Sequence, residues 1–133
     1  MIAEVKQFGE KAVELLKVFN PELIARLFNP AGELPQIDRR RVEICRAMAV
    51  EPRIILLDEP SAGMTPDETT ELMDDIKKVR STMKNVSIII IEHDMSVIST
   101  VSERVIALNF GQEIARGSYE EVSNNREVRE AYL

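Results

Sequence analysis

At 133 residues the chain has room for one modest domain with a real core, and 44% apolar with 30% charged residues is ordinary for a globular protein. A net charge of −6 argues against nucleic acid as the main partner, because phosphate binding draws on an excess of Lys and Arg. No apolar run approaches the roughly 20 residues that span a bilayer. Met1 is followed by Ile-Ala-Glu-Val-Lys, without a basic head and a long apolar segment, so no secretion signal is expected. The single cysteine, Cys45, cannot form an internal disulfide, which suits the cytosol.

Residues 2–19 predict a helix. Ile2, Val5, Val13, Leu16 and the pair Leu15/Phe19 fall partly on helical spacing, and Gly9 weakens the middle. Asn20-Pro21 reads as the cap and first turn of a second short helix with Leu23, Ile24, Leu27 and Phe28 on one side. Asn29-Pro30-Ala31-Gly32 breaks it. A further helix follows Asp38, with Val42, Cys45, Met48 and Ala49 as its apolar seam. Its outer face carries Arg39, Arg40, Arg41 and Arg46, a charge run read mainly as a solvated face.

The chain is organised around residues 54–68. Ile54-Ile55-Leu56-Leu57 has no polar alternation, the mark of a short strand buried on both faces of a parallel sheet. It ends on Asp58-Glu59, at the carboxyl end where open α/β sheets place ligand chemistry. Pro60 stops the strand, Gly63 permits a tight turn, and Thr65-Pro66-Asp67-Glu68 is a capping box with proline at the first helical position. That helix runs to about residue 83 with Leu72, Ile76, Val79 and Met83 facing the core. Acidic residues lead it and Lys77, Lys78 and Arg80 close it, in keeping with the helix dipole.

Residues 86–91 predict a second buried strand, ending in Glu92, His93 and Asp94. Strand, helix, strand is by default a right-handed crossover, so the two strands should lie parallel with their polar ends at one edge. Asp94 caps a short helix with Met95, Ile98 and Val101 inward. Residues 105–110 and 113–116 flank Gly111-Gln112 as a β-hairpin. Ser118-Tyr119-Glu120-Glu121 opens another turn of helix, and a last one covers residues 127–133.

Residues 54–59 resemble the Walker B strand of ATP-binding cassette (ABC) ATPases. Residues 61–67 resemble the D-loop and residues 88–94 the switch-histidine strand. With "LLDEPSAGMTPDET", "IEHDMSVI" and the ending "EVREAYL", the chain is similar to ATP-binding subunits of branched-chain amino acid ABC transporters from about Leu34 onward. The resemblance implies an α/β fold: an incomplete P-loop NTPase core of parallel strands with flanking helices and a C-terminal β-hairpin. Residues 1–33 would be a remnant of the helical subdomain, and residues 34–133 the C-terminal part of the ATPase domain.

It also implies roles. Asp58 would hold Mg²⁺ through water, Glu59 would polarise the attacking water, and His93 would contact the γ-phosphate of ATP. Ser61, Ala62, Gly63, Met64 and Asp67 would form the loop that crosses a dimer interface. Glu92 is read as structural. Leu34, Pro35, Gln36, Ile37 and Asp38 stand where the family has its nucleotide-contacting signature, usually LSGGQ. Expected partners are the transporter's transmembrane subunits and a second ATP-binding subunit, in a homo- or heterodimer. A separate N-terminal half carrying Walker A is a further candidate. The expected location is the cytoplasmic face of the membrane.

Two departures bear on activity. No GxxxxGK[ST] occurs, so the phosphate-cradling loop and its lysine would lie in sequence this chain lacks. In the signature, Pro35 replaces the phosphate-binding serine. The branched Ile37 replaces a glycine and should obstruct close approach of a nucleotide. The isolated chain is therefore expected to be inactive, and to have an unpaired strand edge at residues 88–91. Two other readings stay open: a non-catalytic half that regulates or scaffolds a complete ABC ATPase, and a Mg²⁺- or Mn²⁺-dependent hydrolase using Asp58, Glu59, His93 and Asp94.

Overall fold

The computed structural model describes residues 2–83 and 85–132, with the side chains of residues 2–8 left aside. The stripe positions Ile2 and Val5, and Leu133 at the end of the last helix, lie outside the described side chains and residues. The chain divides into two compact units, one ending at Ile91 and the other beginning at Glu92.

The first unit holds α1 (Ile2–Phe19), 3₁₀ turns at Pro21–Arg26 and Ala31–Glu33, α2 (Gln36–Met48), β1 (Ile54–Asp58), α3 (Pro66–Thr82) and β2 (Ser87–Ile91). Asn20 caps the first 3₁₀ turn, its side chain accepting from the Glu22 N–H at 3.0 Å. The segment is 3₁₀ rather than α-helical, which overturns the expected one-sided stripe. With three residues per turn, Leu23 is buried while Leu27 and Phe28 are exposed.

α3 follows its sequence closely. Thr65 and Glu68 form the reciprocal capping box, and Leu72, Ile76 and Val79 are buried. Each such aliphatic residue contributes roughly 1.5–3 kcal/mol by leaving water. α1 packs on both α2 and α3, and α2 packs on α3. The seam of α2 differs from the expected one: Ile37, Ile44, Cys45 and Met48 are buried, whereas Val42 and Ala49 are half-buried.

β1 and β2 pair in parallel, with Ile54 opposite Ser87 and Asp58 opposite Ile91. α3 connects them, and their parallel pairing is the predicted one. The expectation that both strands are buried on both faces is corrected. Paired residues share a face, and the face carrying Ile54, Leu56, Ile89 and Ile91 is 52–72% exposed, while Ile55 on the other is 4% exposed. Among the described residues each strand has one ladder neighbour, and the side chains on that face stay largely open to solvent.

The second unit contains α4 (Met95–Val101), β3 (Val105–Asn109), β4 (Gln112–Gly117), α5 (Tyr119–Ser123) and α6 (Arg126–Tyr132). Ala107, Val122 and Val128 form its small core, with Val105, Ile114 and Ala115 against them. In α4 the buried residue is Val97, whereas Met95, Ile98 and Val101 are half-buried; a helix of two turns has room for one deeply inward position. The hairpin turn is Phe110-Gly111, one residue earlier than expected, and Gln112 pairs with Asn109. Both turn residues have positive φ, 47° and 78°, as a type I′ turn requires.

Candidate functional site

The rim of the parallel pair is built by its register. Asp58 stands opposite Ile91, and the Glu59 N–H donates to the Ile91 carbonyl at 2.9 Å, extending the ladder one step past β1. Asp58 and Glu59 are both exposed there. Glu59 has φ 42°, left-handed backbone that costs a non-glycine residue roughly 1–2 kcal/mol. Strain of this kind gathers at functional positions, and here it falls on the second carboxylate of the rim.

The turn that follows is tightly bonded. The Ala62 N–H donates to the Glu59 carbonyl at 3.0 Å and the Met64 N–H to the Ser61 carbonyl at 3.1 Å. Gly63, at φ 76°, supplies the left-handed step that Met64 and Thr65 need in order to enter α3. Asp67 is exposed in the first turn of that helix. His93 lies two residues beyond the end of β2, is exposed, and belongs to the second unit. Asp94 caps α4: its carboxylate accepts from the Ser96 N–H at 2.8 Å and the Ser96 hydroxyl at 2.6 Å. The Ser96 hydroxyl, then the Ser96 amide and the neighbouring His93, hold the Asp94 carboxyl below its ordinary range.

The signature-like segment is placed differently from its expectation. The Ile37 side chain is only 7% exposed, so it fills the interior of the first unit instead of standing in front of a ligand. Leu34 is buried as well, and Pro35 is exposed and gives α2 no side-chain cap. Gln36 Nε2 donates to the Ala62 carbonyl at 3.3 Å, and Arg40 Nε donates to the Pro60 carbonyl at 3.1 Å. α2 therefore braces the loop after β1.

Sequence reasoning missed Arg41. Read as part of a solvated face, it is 2% exposed. Its Nε donates to Asp75 at 2.8 Å, one terminal nitrogen to Asp38 at 3.0 Å and the other to Glu71. Lys78 approaches the second Asp75 oxygen at 2.9 Å. Burial alone works against the guanidinium charge, but hydrogen bonds to Glu71, Asp38 and Asp75 outweigh it and hold its pKa above the ordinary value. The signal available was the i, i+3 pair of Asp38 with Arg41, and Asp75 on the stripe side of α3. Cys45, read as core, is buried, and burial pushes its thiol up to about 12, so it stays a neutral packing group.

A parallel pair joined by a capped crossover helix, with two carboxylates at the carboxyl rim and a C-terminal hairpin, has the fold of part of an ABC ATPase domain. The solved structure of a nucleotide-free ATP-binding cassette from an ABC transporter superposes on 95% of this chain and 50% of its own length, with TM-score 0.82 and 28% identity. Among such domains the chain is similar to the branched-chain amino acid type, as its motifs indicate. A family model for the branched-chain amino acid ATP-binding cassette transporter matches residues 112–133. The high-affinity branched-chain amino acid transport ATP-binding protein LivG of Salmonella typhimurium is 44% identical over 77% of this chain, and BraF of Pseudomonas aeruginosa 43% over the same share. The chain spans 40% of the length of each of these two relatives. Among the described residues, no helix is long and apolar enough to cross a membrane.

Proposed function

We propose that the chain supplies the carboxyl-terminal half-site of an ATP-hydrolysing subunit of an ABC transporter for amino acid import. The observation that carries this is the rim: Asp58 opposite Ile91, with Glu59 held in left-handed backbone just beyond. An exposed single carboxylate at a strand end fits Mg²⁺, which keeps most of its waters and takes one or two protein carboxylates together with phosphate oxygens. Asp58 would hold the ion through water, and the ion, when bound, neutralises charge on the phosphates of ATP.

Glu59 then accepts a proton-side hydrogen bond from the attacking water and orients it. His93 donates to a γ-phosphate oxygen. Ser61, Ala62, Gly63, Met64 and Asp67 present the loop to a second ATP-binding subunit. Residues 1–33 belong to the helical segment that faces the transmembrane subunits, and the assembly works at the cytoplasmic face of the membrane. Without a Walker A loop, the chain alone binds ATP weakly and does not turn it over.

A second reading is a non-catalytic half that pairs with a complete ABC ATPase. It is favoured by the signature segment, where Ile37 is buried and Asp38 is paired with Arg41. The test is Mg-ATP hydrolysis by the chain alone and by the chain mixed with a separate amino-terminal portion of an ABC ATPase carrying GxxxxGK[ST]. Turnover only in the mixture, lost on Glu59→Gln, is the expected result. Turnover by the chain alone that Glu59→Gln abolishes refutes the inactivity. Stable complex formation without Glu59-dependent turnover favours the second reading.

A further inference from the structure

We propose that Arg40 is the positioning residue for Glu59. The inference rests on the reading of Glu59 as the water-orienting carboxylate. Glu59 holds φ 42° and is followed by Pro60, and a following proline narrows a residue's backbone choices further. A left-handed non-glycine residue persists only where its surroundings over-determine it. Two of the restraints are backbone bonds: the Glu59 N–H to the Ile91 carbonyl, and the Ala62 N–H to the Glu59 carbonyl. Any sequence adopting this turn would make them.

One side-chain restraint next to Glu59 comes from α2. Arg40 Nε donates to the Pro60 carbonyl at 3.1 Å, a charge-assisted bond to the peptide that follows Glu59. Pro60 is among the most deeply buried residues, so its carbonyl is shielded from water and losing the donor is felt. The other end of the same guanidinium is pinned by Glu43, one turn along α2, at 2.8 Å. The planar fork thus has two fixed partners and little freedom, which an ammonium group would not reproduce. Gln36 adds a longer, exposed bond to Ala62 at 3.3 Å and plays the lesser part.

The consequence is local and can be read without nucleotide, by amide hydrogen exchange on the full chain. Arg40→Met keeps the stem and removes the donor. The Ala62 and Met64 amides should exchange about tenfold faster, the loss of one charge-assisted bond, while amides inside α3 are unchanged. Glu43→Gln, which leaves the Pro60 bond in place, should leave the loop amides as they are. Should Arg40→Met not fold, Arg40→Lys serves instead: its one amine reaches either Glu43 or Pro60, and the loop amides should exchange at an intermediate rate. Unchanged Ala62 exchange in the variant that folds, or a rise of equal factor throughout α2 and α3, would overturn the proposal. The turnover assay with Glu59→Gln tests the role of Glu59 separately, so either idea can fail without the other.

Discussion

Replacing Arg41 with Met tests whether the contact between α2 and α3 depends on the buried ion cluster. The side chains of Arg41 and Asp75 are 3% and 0% exposed, so the variant leaves Asp75 as a buried charge. Removing one partner of a buried pair costs about 3–5 kcal/mol. Lys78 stays within 2.9 Å of Asp75, yet it is 57% exposed and screened, which brings the expected loss to the lower end, about 3 kcal/mol. Glu71, at 59% exposed, adds little. With a urea slope of about 2 kcal/mol per M, the midpoint followed by far-UV circular dichroism should fall by about 1.5 M. Arg41→Met combined with Asp38→Leu and Asp75→Leu should recover most of the loss, because no charge is then left stranded. A single variant within about 1 kcal/mol of the parent, or a triple variant no better than the single, would refute this account.

Other perturbations separate function from stability. Glu59→Gly should be more stable than Glu59→Ala by roughly 1 kcal/mol, since both lack the carboxylate and only glycine takes φ 42° freely; urea midpoints compare the two. Gly117→Ala would set a Cβ 2.4 Å from Glu121 Oε2 and displace it from the Ser118 cap, at a cost of about 1 kcal/mol in thermal unfolding of the second unit. Asp94 and Glu121 are both held below their ordinary values, 3.8 and 4.5, by cap hydrogen bonds. Their contribution is therefore present above those values and lost as pH falls through the lower folded ones. An acid titration followed by helical circular dichroism should show the loss beginning below about pH 5, and Asp94→Asn should remove the part due to α4.

Much of the fold is written in local chemistry. The caps at Asn20, Thr65, Asp94 and Ser118 are legible because a short polar side chain and the amides it serves lie within three residues. The parallel pair follows from aliphatic runs on either side of a capped helix. What local pattern leaves out is which cation of a run turns inward. Arg39, Arg40 and Arg41 are adjacent in sequence, and it is Arg41 that the distant carboxylates of Glu71 and Asp75 join to the local Asp38. The unbroken aliphatic stretch at Ile54 likewise tells that a strand suits a covered sheet, not whether this chain supplies the cover. For the rim, residue identity suggests chemistry at Asp58 and Glu59, but the strained backbone of Glu59 and the brace from Arg40 exist only in three dimensions.

The bare side of the β1–β2 ladder has a practical bearing on handling the protein. Ile54, Leu56, Ile89 and Ile91 offer a greasy plane with free main-chain edges beside it, an invitation to stack against like surfaces. Purified material should bind fluorescent hydrophobic dyes while folded and should cloud as it is concentrated.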